Sequence, residues 1–169
     1  MPEEDVEEEV RSLLEFVRLD NEMDKLPSEL SGGMRKRVSV AGALVGNPKI
    51  VLFDEPTVAL DPPTSGTICD LIIELRDLEN VASIVVTHEM DVVKCLTSEY
   101  ASIGERGKIK FKDDGERLCL TNTNIFMLRN GRAIFSGTSK ELIDSDNPYI
   151  QEFIRGTELL PERTDKGQE

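Results

Sequence analysis

Several features are scarce or missing in this chain of 169 residues, and each absence narrows its possible functions. Basic residues are outnumbered, because 20 lysines and arginines face 33 aspartates and glutamates, for a formal net charge of −13. Nucleic-acid binding depends on Lys and Arg neutralising phosphates, so this balance argues against nucleic acid and against direct docking on an anionic membrane. No apolar run reaches the roughly 18–20 residues that cross a bilayer, and no signal peptide opens the chain. Any membrane role is therefore expected to run through a partner.

Cysteine is also sparse. The three cysteines, Cys69, Cys95 and Cys119, are widely separated and include no C-x-x-C pair. An odd number without close spacing argues against a disulfide framework or a zinc site and favours a reducing, cytosolic setting. The length suits one domain with a sizeable core.

The order of periodic segments predicts an α/β fold in which parallel strands carry flanking helices. Helices are predicted over 4–19, 32–45, from Pro62 to beyond Leu75, over 91–96, and near 139–143 and 148–154. The first of them is amphipathic, with an apolar side of Val6, Val10, Leu13, Leu14 and Val17. Buried strands are predicted over 49–53 and 81–87, followed by one hairpin around Asp113-Asp114-Gly115, with strands 108–112 and 117–121, and one around Asn130-Gly131.

Two acids directly follow the first predicted strand, at the strand end where ligands bind in α/β sheets. A buried carboxylate is costly unless a cation or hydrogen-bond donors accompany it. Mg²⁺ suits such a place, because it takes one or two carboxylates together with substrate phosphates. We therefore predict that Asp54 binds Mg²⁺ and that Glu55 polarises a water as general base. The alternative is an acid pair that only caps the next turn.

The single histidine and a glycine pair add to this pattern. His88 directly follows the second predicted strand, so it would lie beside Glu55 if the two strands are neighbours. A lone histidine is more often structural, but its place at a second strand end favours a functional role. Ser31-Gly32-Gly33 is predicted to open a helix with a capping hydroxyl and unhindered amides, which is an anion site by geometry and also ordinary turn chemistry.

Together these motifs are more specific than any one of them. Leu-Ser-Gly-Gly, Val-Leu-Phe-Asp-Glu-Pro-Thr, Ala-Leu-Asp-Pro and Val-Val-Thr-His-Glu occur in that order between Leu30 and Glu89. The set resembles the ATP-binding subunit of ABC transporters, over about Val6 to Ile154. The resemblance implies a P-loop NTPase fold, ATP and Mg²⁺ as cofactors, and ATP hydrolysis coupled to transport across a membrane.

The resemblance also implies roles for individual residues. Asp54 would bind Mg²⁺, Glu55 would be the catalytic carboxylate of the Walker B strand, and His88 would sense the γ-phosphate. Leu30 to Met34 would be the signature motif and Asp61 part of the D-loop, which act on ATP held by the opposite subunit. The residues assigned to ATP in trans are Ser31, Gly32, Gly33, Met34 and Asp61.

The implied partners are a second ATP-binding subunit and membrane permease subunits, with the chain in the cytoplasm and peripheral to the membrane. The wording Gly-Gly-Met-Arg-Lys-Arg-Val looks like the Mla/Mce lipid-trafficking branch, which predicts phospholipid or another lipid as substrate. By this pattern residues 1–47 would be the remainder of the helical signature subdomain and 48–160 the ATPase core. Residues 98–124 would be an insertion and 161–169 a polar tail.

Two positions depart from the family pattern. Gly42 and Ala59 stand where the family commonly carries Arg and Gly. The first change is expected to weaken a contact on the helix surface. The second is expected to stiffen the D-loop.

The phosphate-binding motif G-x-x-x-x-G-K-[ST] does not occur in this sequence. In P-loop ATPases that loop and its lysine cradle the β- and γ-phosphates. We therefore expect an incomplete subunit with an open sheet edge, which binds MgATP weakly and hydrolyses it at background level when isolated. The alternatives are a non-catalytic partner that supplies only the signature half of a composite site, or an SMC-type chromosome ATPase. The acidic charge and the lack of coiled-coil heptads disfavour the last.

Overall fold

The fold is taken from a computed structural model, which describes residues 3–104, 108–113 and 123–155. The predicted strand 117–121 and the predicted tail 161–169 lie outside these residues. The helices are α1 (Glu3–Phe16), α2 (Gly32–Leu44), α3 (Pro62–Asp77), α4 (Met90–Ser98), α5 (Ser139–Ile143) and α6 (Pro148–Arg155). The strands are β1 (Ile50–Asp54), β2 (Ala82–Val86), β3 (Glu99–Ile103), β4 (Ile109–Asp113), β5 (Ile125–Arg129) and β6 (Arg132–Gly137). Short 3₁₀ turns span Asp20–Glu22 and Pro27–Glu29.

The first helix ends earlier than the sequence predicts. Arg18 takes the left-handed conformation (φ 59°), its N–H donates to the Glu15 carbonyl, and the Leu19 N–H donates to Leu14, each at 2.8 Å. These two bonds form the capping motif that closes a helix, so the prediction of helix to residue 19 is wrong. Only part of the predicted apolar side of this helix is buried, because Val17 is buried whereas Val6 and Val10 are exposed.

The two strands that lead to the candidate site lie side by side. β1 and β2 are parallel, in register from Ile50 opposite Ala82 to Asp54 opposite Val86. Val51 and Phe53 are buried, whereas Leu52 is 72% exposed, because alternate residues of a strand face opposite sides. The prediction of fully buried strands is therefore wrong for one face. The apolar residues of that bare sheet face are Ile50, Leu52, Ile84 and Val86.

The third helix forms the centre of the core. Asp61 caps it, and Pro62 begins it where a missing N–H costs nothing. Its predicted apolar side is confirmed, since Ile68, Leu71, Ile72 and Leu75 are all buried. This core also takes in Val17 and Val40, so it includes residues on both sides of the boundary predicted at 47/48; the division itself stays a prediction.

Two antiparallel hairpins follow. The second matches its prediction, because Asn130 and Gly131 have φ values of 50° and 72°, as a two-residue turn between β5 and β6 requires. β4 pairs with β3, from Glu99 opposite Asp113 to Ile103 opposite Ile109, which the sequence did not predict. The hairpin predicted around Asp113-Asp114-Gly115 needs the strand 117–121, which lies outside the described residues, so it stays a prediction. A small second core, of Leu142, Ile150 and Ile154, packs the last two helices against β5 and β6.

The predicted α/β fold with a parallel strand pair, flanking helices and C-terminal hairpins is confirmed. Within the described residues β1 pairs with β2 alone, which leaves a free edge on each strand, as expected from the sequence. No helix in the described part of the chain is both long enough and apolar enough to cross a membrane.

Candidate functional site

Glu55 and His88 meet at the carboxyl ends of β1 and β2. The Glu55 N–H donates to the Val86 carbonyl at 2.9 Å, which extends the parallel pairing one residue beyond β1. His88 Nδ1 lies 2.7 Å from Glu55 Oε1, so the two side chains are hydrogen bonded. The predicted proximity of these residues is confirmed, while their catalytic roles remain predictions.

The contact changes the protonation of both groups. The hydrogen bond to Glu55 and the carboxylate charge raise the pKa of His88. The hydrogen bond from His88 lowers the pKa of Glu55, against a smaller effect of desolvation. Glu55 is therefore ionised at neutral pH, as a general base must be, and His88 is more protonated than an ordinary histidine.

The backbone aims Glu55 in a particular direction. Its φ of 46° lies in the left-handed region, which turns its side chain away from the alternation of β1. Lys36 of α2 donates from Nζ to the Glu55 carbonyl at 3.1 Å, which fixes this peptide from the other side. One carboxylate oxygen, Oε1, is bonded to His88, while Oε2 is buried and has no partner among the described residues. A buried oxygen of this kind is a place for a water or ligand proton.

Asp54 occupies a different surface from Glu55. It is exposed, on the bare sheet face that also carries Leu52. It borders a pocket of about 230 Å³ between α2 and β1, whose lining includes Lys36 and Ser39. No group of three or more metal-ligating side chains occurs among the residues that the structure describes. Asp54 offers one carboxylate at this place, which suits Mg²⁺ where phosphate and water oxygens supply the other ligands.

A second contact joins the loops that follow β1 and β2, and the sequence did not reveal it. Thr57 is only 1% exposed, and its hydroxyl donates to the Glu89 carboxylate. The Glu89 N–H donates in turn to Thr87 Oγ1 at 3.0 Å. Thr57 and Glu89 belong to the recognised motifs, but nothing in their spacing indicates a bond between them. They hold the Glu55 and His88 loops together.

The Ser-Gly-Gly segment begins α2 as predicted. The Ser31 hydroxyl accepts from the Met34 N–H at 3.2 Å, which makes Ser31 the N-cap. Gly32 has open space around it, whereas a Cβ on Gly33 would stand 2.5 Å from the Thr64 methyl carbon. Met34 packs its side chain against the core and does not project freely. The helix end thus presents the Ser31 hydroxyl and amides with little side-chain cover.

Asp61 is connected to the start of α2 by Thr64, which bonds to Asp61 and approaches Gly33. Its carboxylate accepts from the Thr64 N–H at 3.2 Å and from the Thr64 hydroxyl at 2.8 Å. Both bonds lower the pKa of Asp61, and the bond from the Thr64 hydroxyl has the larger effect. The contact of Gly33 with Thr64 therefore brings together the two segments that sequence analysis assigned to a nucleotide in trans. The site has two parts, one around Glu55 and His88 and one around Ser31 and Asp61.

Known proteins resemble this chain in sequence and in fold. The ABC transporter family model matches residues 2–58. The "Methionine import ATP-binding protein MetN" of Campylobacter jejuni is 36% identical over 162 residues, which are 96% of this chain and 41% of that protein. MetN of Photobacterium profundum is 45% identical over 100 residues, or 59% of this chain and 29% of the relative. The chain thus spans less than half the length of these relatives.

Solved structures give the same picture of the fold. The cbiO1 protein of Clostridium perfringens, part of an ABC transporter complex, superimposes with a TM-score of 0.65 at 29% identity, over 94% of this chain and 51% of that one. An ATP-binding cassette in its ADP conformation gives a TM-score of 0.65 at 24% identity, over 92% and 52%. In its motifs, in the part that the family model matches and in its fold, this chain is thus similar to the ATP-binding proteins of ABC transporters.

Proposed function

We propose that this chain is an ATP-binding and ATP-hydrolysing component of an ABC transporter. The observation that carries the proposal is the Glu55 carboxylate, with one oxygen on His88 and the other buried and unpaired among the described residues. Both residues lie at the carboxyl ends of parallel strands, where α/β folds bind ligands. An orphaned carboxylate oxygen at that place suits the activation of a water molecule.

The chemistry assigned to each residue follows from this geometry. Glu55, ionised by its contact with His88, accepts a proton from water at Oε2. His88 holds the opposite oxygen and orients the carboxylate. Asp54 would hold Mg²⁺, which when bound neutralises charge on the phosphates. Thr57 and Glu89 keep the two loops at a constant separation.

The second part of the site serves another molecule in this proposal. Ser31, Gly32 and Gly33 present a capped helix start with a favourable dipole, which suits an anion. The given sequence contains no phosphate-binding loop for them to face. We propose that Ser31, Gly32, Gly33, Met34 and Asp61 act on ATP held by a second ATP-binding subunit. The alternative is a non-catalytic partner, which supplies only these signature residues to a composite ATP site.

Two variants separate these possibilities in one assay. The chain would be combined with an ATP-binding subunit that carries the phosphate-binding motif, and ATP turnover measured. Glu55→Gln removes the base and keeps the shape, so turnover should fall about 10²–10⁴-fold if Glu55 catalyses. Ser31→Asp keeps an N-cap residue but places a negative charge where phosphate would sit, so ATP-dependent association should be lost.

The outcomes have distinct meanings. Loss with both variants supports the full proposal, and loss with Ser31→Asp alone supports the partner that supplies only the signature half. Normal turnover and association with both variants would contradict either role. Glu79→Gln, the same substitution at an exposed residue beyond the end of α3, is the matched control and should leave turnover unchanged.

The proposal extends to the partners and the substrate. We propose a dimer of ATP-binding subunits on the cytoplasmic face of a membrane permease. The lipid substrate predicted from the wording of residues 32–38 receives no support from the relatives reported above, which are named for methionine import. We therefore propose methionine as the first substrate to test.

Transport assays can decide between these substrates. The complete complex in proteoliposomes should move labelled methionine only when ATP is supplied. Transfer of labelled phospholipid, with no methionine uptake, would reverse the choice. Glu55→Gln is the control for ATP dependence in both measurements.

A further inference from the structure

Two side-chain hydrogen bonds join the loop after β1 to the loop after β2, and together they close a ring. The first bond connects Glu55 to His88. The second runs from the Thr57 hydroxyl to the carboxylate of Glu89, the residue directly after His88. Only Pro56 lies between Glu55 and Thr57, and a proline has its φ fixed. Because the segments between the two bonds are this short, a change at one bond alters the geometry of the other.

The two bonds differ in their exposure to water. The His88 side chain is 72% exposed, so water competes for its bond to Glu55, and exposed ion pairs of this kind contribute little by themselves. Thr57 is only 1% exposed, so its hydroxyl is shielded from water. Loss of a partner is costly for a buried polar group, which keeps the buried bond closed. The buried bond therefore limits how far the surface pair can separate.

Glu89 is held by both its side chain and its backbone. It stands at the N-cap position of α4, but its side chain makes no capping bond to that helix. The carboxylate reaches the loop after β1 instead, where it accepts from Thr57. The Glu89 N–H donates to Thr87 Oγ1 at 3.0 Å. With Glu89 fixed in this way, His88 directly before it starts from a defined position.

We propose that Thr57 is a positioning residue for ATP hydrolysis, which holds His88 against the Glu55 carboxylate through its bond to Glu89. This role rests on the proposed function of Glu55 as the base. Thr57 acts through Glu89 and not on the reacting atoms. With its hydroxyl in place, Glu55 keeps Oε1 on His88 and presents Oε2 to water. Without the hydroxyl, the surface pair opens more often and the carboxylate loses its single orientation.

A titration of the isolated chain tests the structural part of this proposal without nucleotide. Thr57→Val removes the hydroxyl, keeps the shape of the side chain and changes neither carboxylate. The bond to Glu55 raises the pKa of His88 most, and the charge of Glu89 adds to it. If the pair opens more often, the pKa of His88 should fall towards its ordinary value, as measured by NMR of the single imidazole. A pKa at or above the wild-type value would overturn the proposal.

Turnover tests the functional part, in the assay with a subunit that carries the phosphate-binding motif. Thr57→Val should lower kcat about 10–100-fold and leave the KM for ATP within about twofold, because positioning acts on the chemical step. Thr57→Ser returns the hydroxyl and should restore both kcat and the pKa of His88. A lower stability with normal kcat would show a merely structural role and overturn the proposal.

A double variant covers the case in which Thr57→Val does not fold. Thr57→Val combined with Glu89→Leu removes both polar groups, so no carboxylate is left without its donor. This variant should fold and should show the same loss of kcat as Thr57→Val. Normal kcat in the double variant would count against the positioning role.

Two further variants complete the comparison. Thr67→Val is the matched control, because the Thr67 hydroxyl donates within α3 to the Pro63 carbonyl at 3.1 Å. It should change neither the pKa of His88 nor the turnover. Glu55→Gln separates the two proposals: if it lowers turnover and Thr57→Val does not, only the positioning role fails. Normal turnover in Glu55→Gln would contradict the proposed function itself, and with it any effect of Thr57 on hydrolysis.

Discussion

Backbone conformation at single residues determines much of the candidate site. Among the described residues, six that are not glycine have positive φ, and two of these, Glu55 and Ala59, lie in the loop between β1 and α3. Such conformations are costly for residues with a Cβ, and they persist where the surroundings over-determine them. For Glu55 the surroundings are the Val86 carbonyl, Lys36 and His88. At Glu55 the conformational cost goes together with a carboxylate that is held in one orientation.

The Glu55–His88 pair makes a prediction about pH. Since the pKa of His88 is raised and that of Glu55 is lowered, the ion pair is complete between the two values. It is lost as pH falls through the Glu55 pKa and as pH rises through the His88 pKa. His88 is the only histidine, so one imidazole proton resonance followed by NMR gives its pKa directly.

The Glu55→Gln variant is the control for that titration. It should move the His88 pKa down towards the ordinary histidine value, because the carboxylate charge has gone. Glu79→Gln should leave the resonance unchanged. A wild-type His88 that titrates at or below the ordinary value would contradict the ion pair.

Ala59 makes a prediction about stability. Its φ of 62° favours glycine, so Ala59→Gly should raise the free energy of unfolding by up to about 1 kcal/mol. The same substitution at Ala43, an exposed residue inside α2, should lower it by about 0.5–1 kcal/mol. Denaturant titrations of the two variants should therefore shift in opposite directions, and equal shifts would argue against strain at Ala59.

At the scale of elements, the close contact between α2 and α3 depends on the absence of a side chain at Gly33. Gly33→Ala places a methyl 2.5 Å from the Thr64 methyl carbon and disturbs the hydroxyl that bonds Asp61. We expect a loss of about 1–3 kcal/mol in unfolding free energy, as for other overpacked sites. Gly32→Ala, with nothing within 4 Å, should be neutral or slightly stabilising.

A double variant identifies the cause of that loss. Thr64→Ser removes the clashing methyl and keeps the hydroxyl, whose distance from the new Cβ, 3.5 Å, is an ordinary contact. Combined with Gly33→Ala it should restore most of the stability. If the losses of unfolding free energy in Gly33→Ala and Thr64→Ser simply add in the double variant, the clash with the Thr64 methyl is not the cause of the loss in Gly33→Ala.

Elements with strong local signals could be predicted from the sequence. Ser31 before two glycines, Pro62-Pro63 after Asp61, and Asn130-Gly131 each carry their own turn or cap chemistry, and the structure has them as predicted. Elements decided by distant contacts could not. β3 has no signal of its own and depends on β4, and α1 ends at Phe16 because Arg18 adopts a conformation that its sequence does not favour.

The candidate site divides in the same way. The motif order placed Glu55 and His88 at two strand ends, and parallel pairing was enough to bring them together. The bond from Thr57 to Glu89 and the contact of Gly33 with Thr64 join segments far apart in the chain. Spacing carries no information about such contacts, because they depend on how the helices pack.

At the scale of the whole molecule, the bare sheet face is one of the apolar areas exposed on the described part of the chain, and Phe126 and Leu128 of β5 form another. Ile50, Leu52, Ile84 and Val86 lie together on the bare sheet face, beside the free edges of β1 and β2. An apolar face with open edges favours self-association, whereas a net charge of −13 opposes it at low ionic strength. We expect the isolated chain to associate, and to do so more as salt is added.

Sizing columns test this with two matched variants. Leu52→Lys introduces charge on the bare sheet face and should shift the chain towards monomer. Leu128→Lys alters a residue on β5 that is equally exposed, at 72%, and should have little effect. A wild-type chain that stays monomeric at high concentration and high salt would contradict the expectation.

The bond from Lys36 to the Glu55 carbonyl has a mechanical consequence. α2 starts at the end that would face one nucleotide, and its second turn is attached to the peptide that aims the carboxylate at another. A small rotation of this helix would therefore change the angle of that peptide. A displacement of the loop that carries Glu55 would in turn move α2, which begins after Ser31. Lys36 thus couples the orientation of α2 to that of the Glu55 peptide without any change of fold.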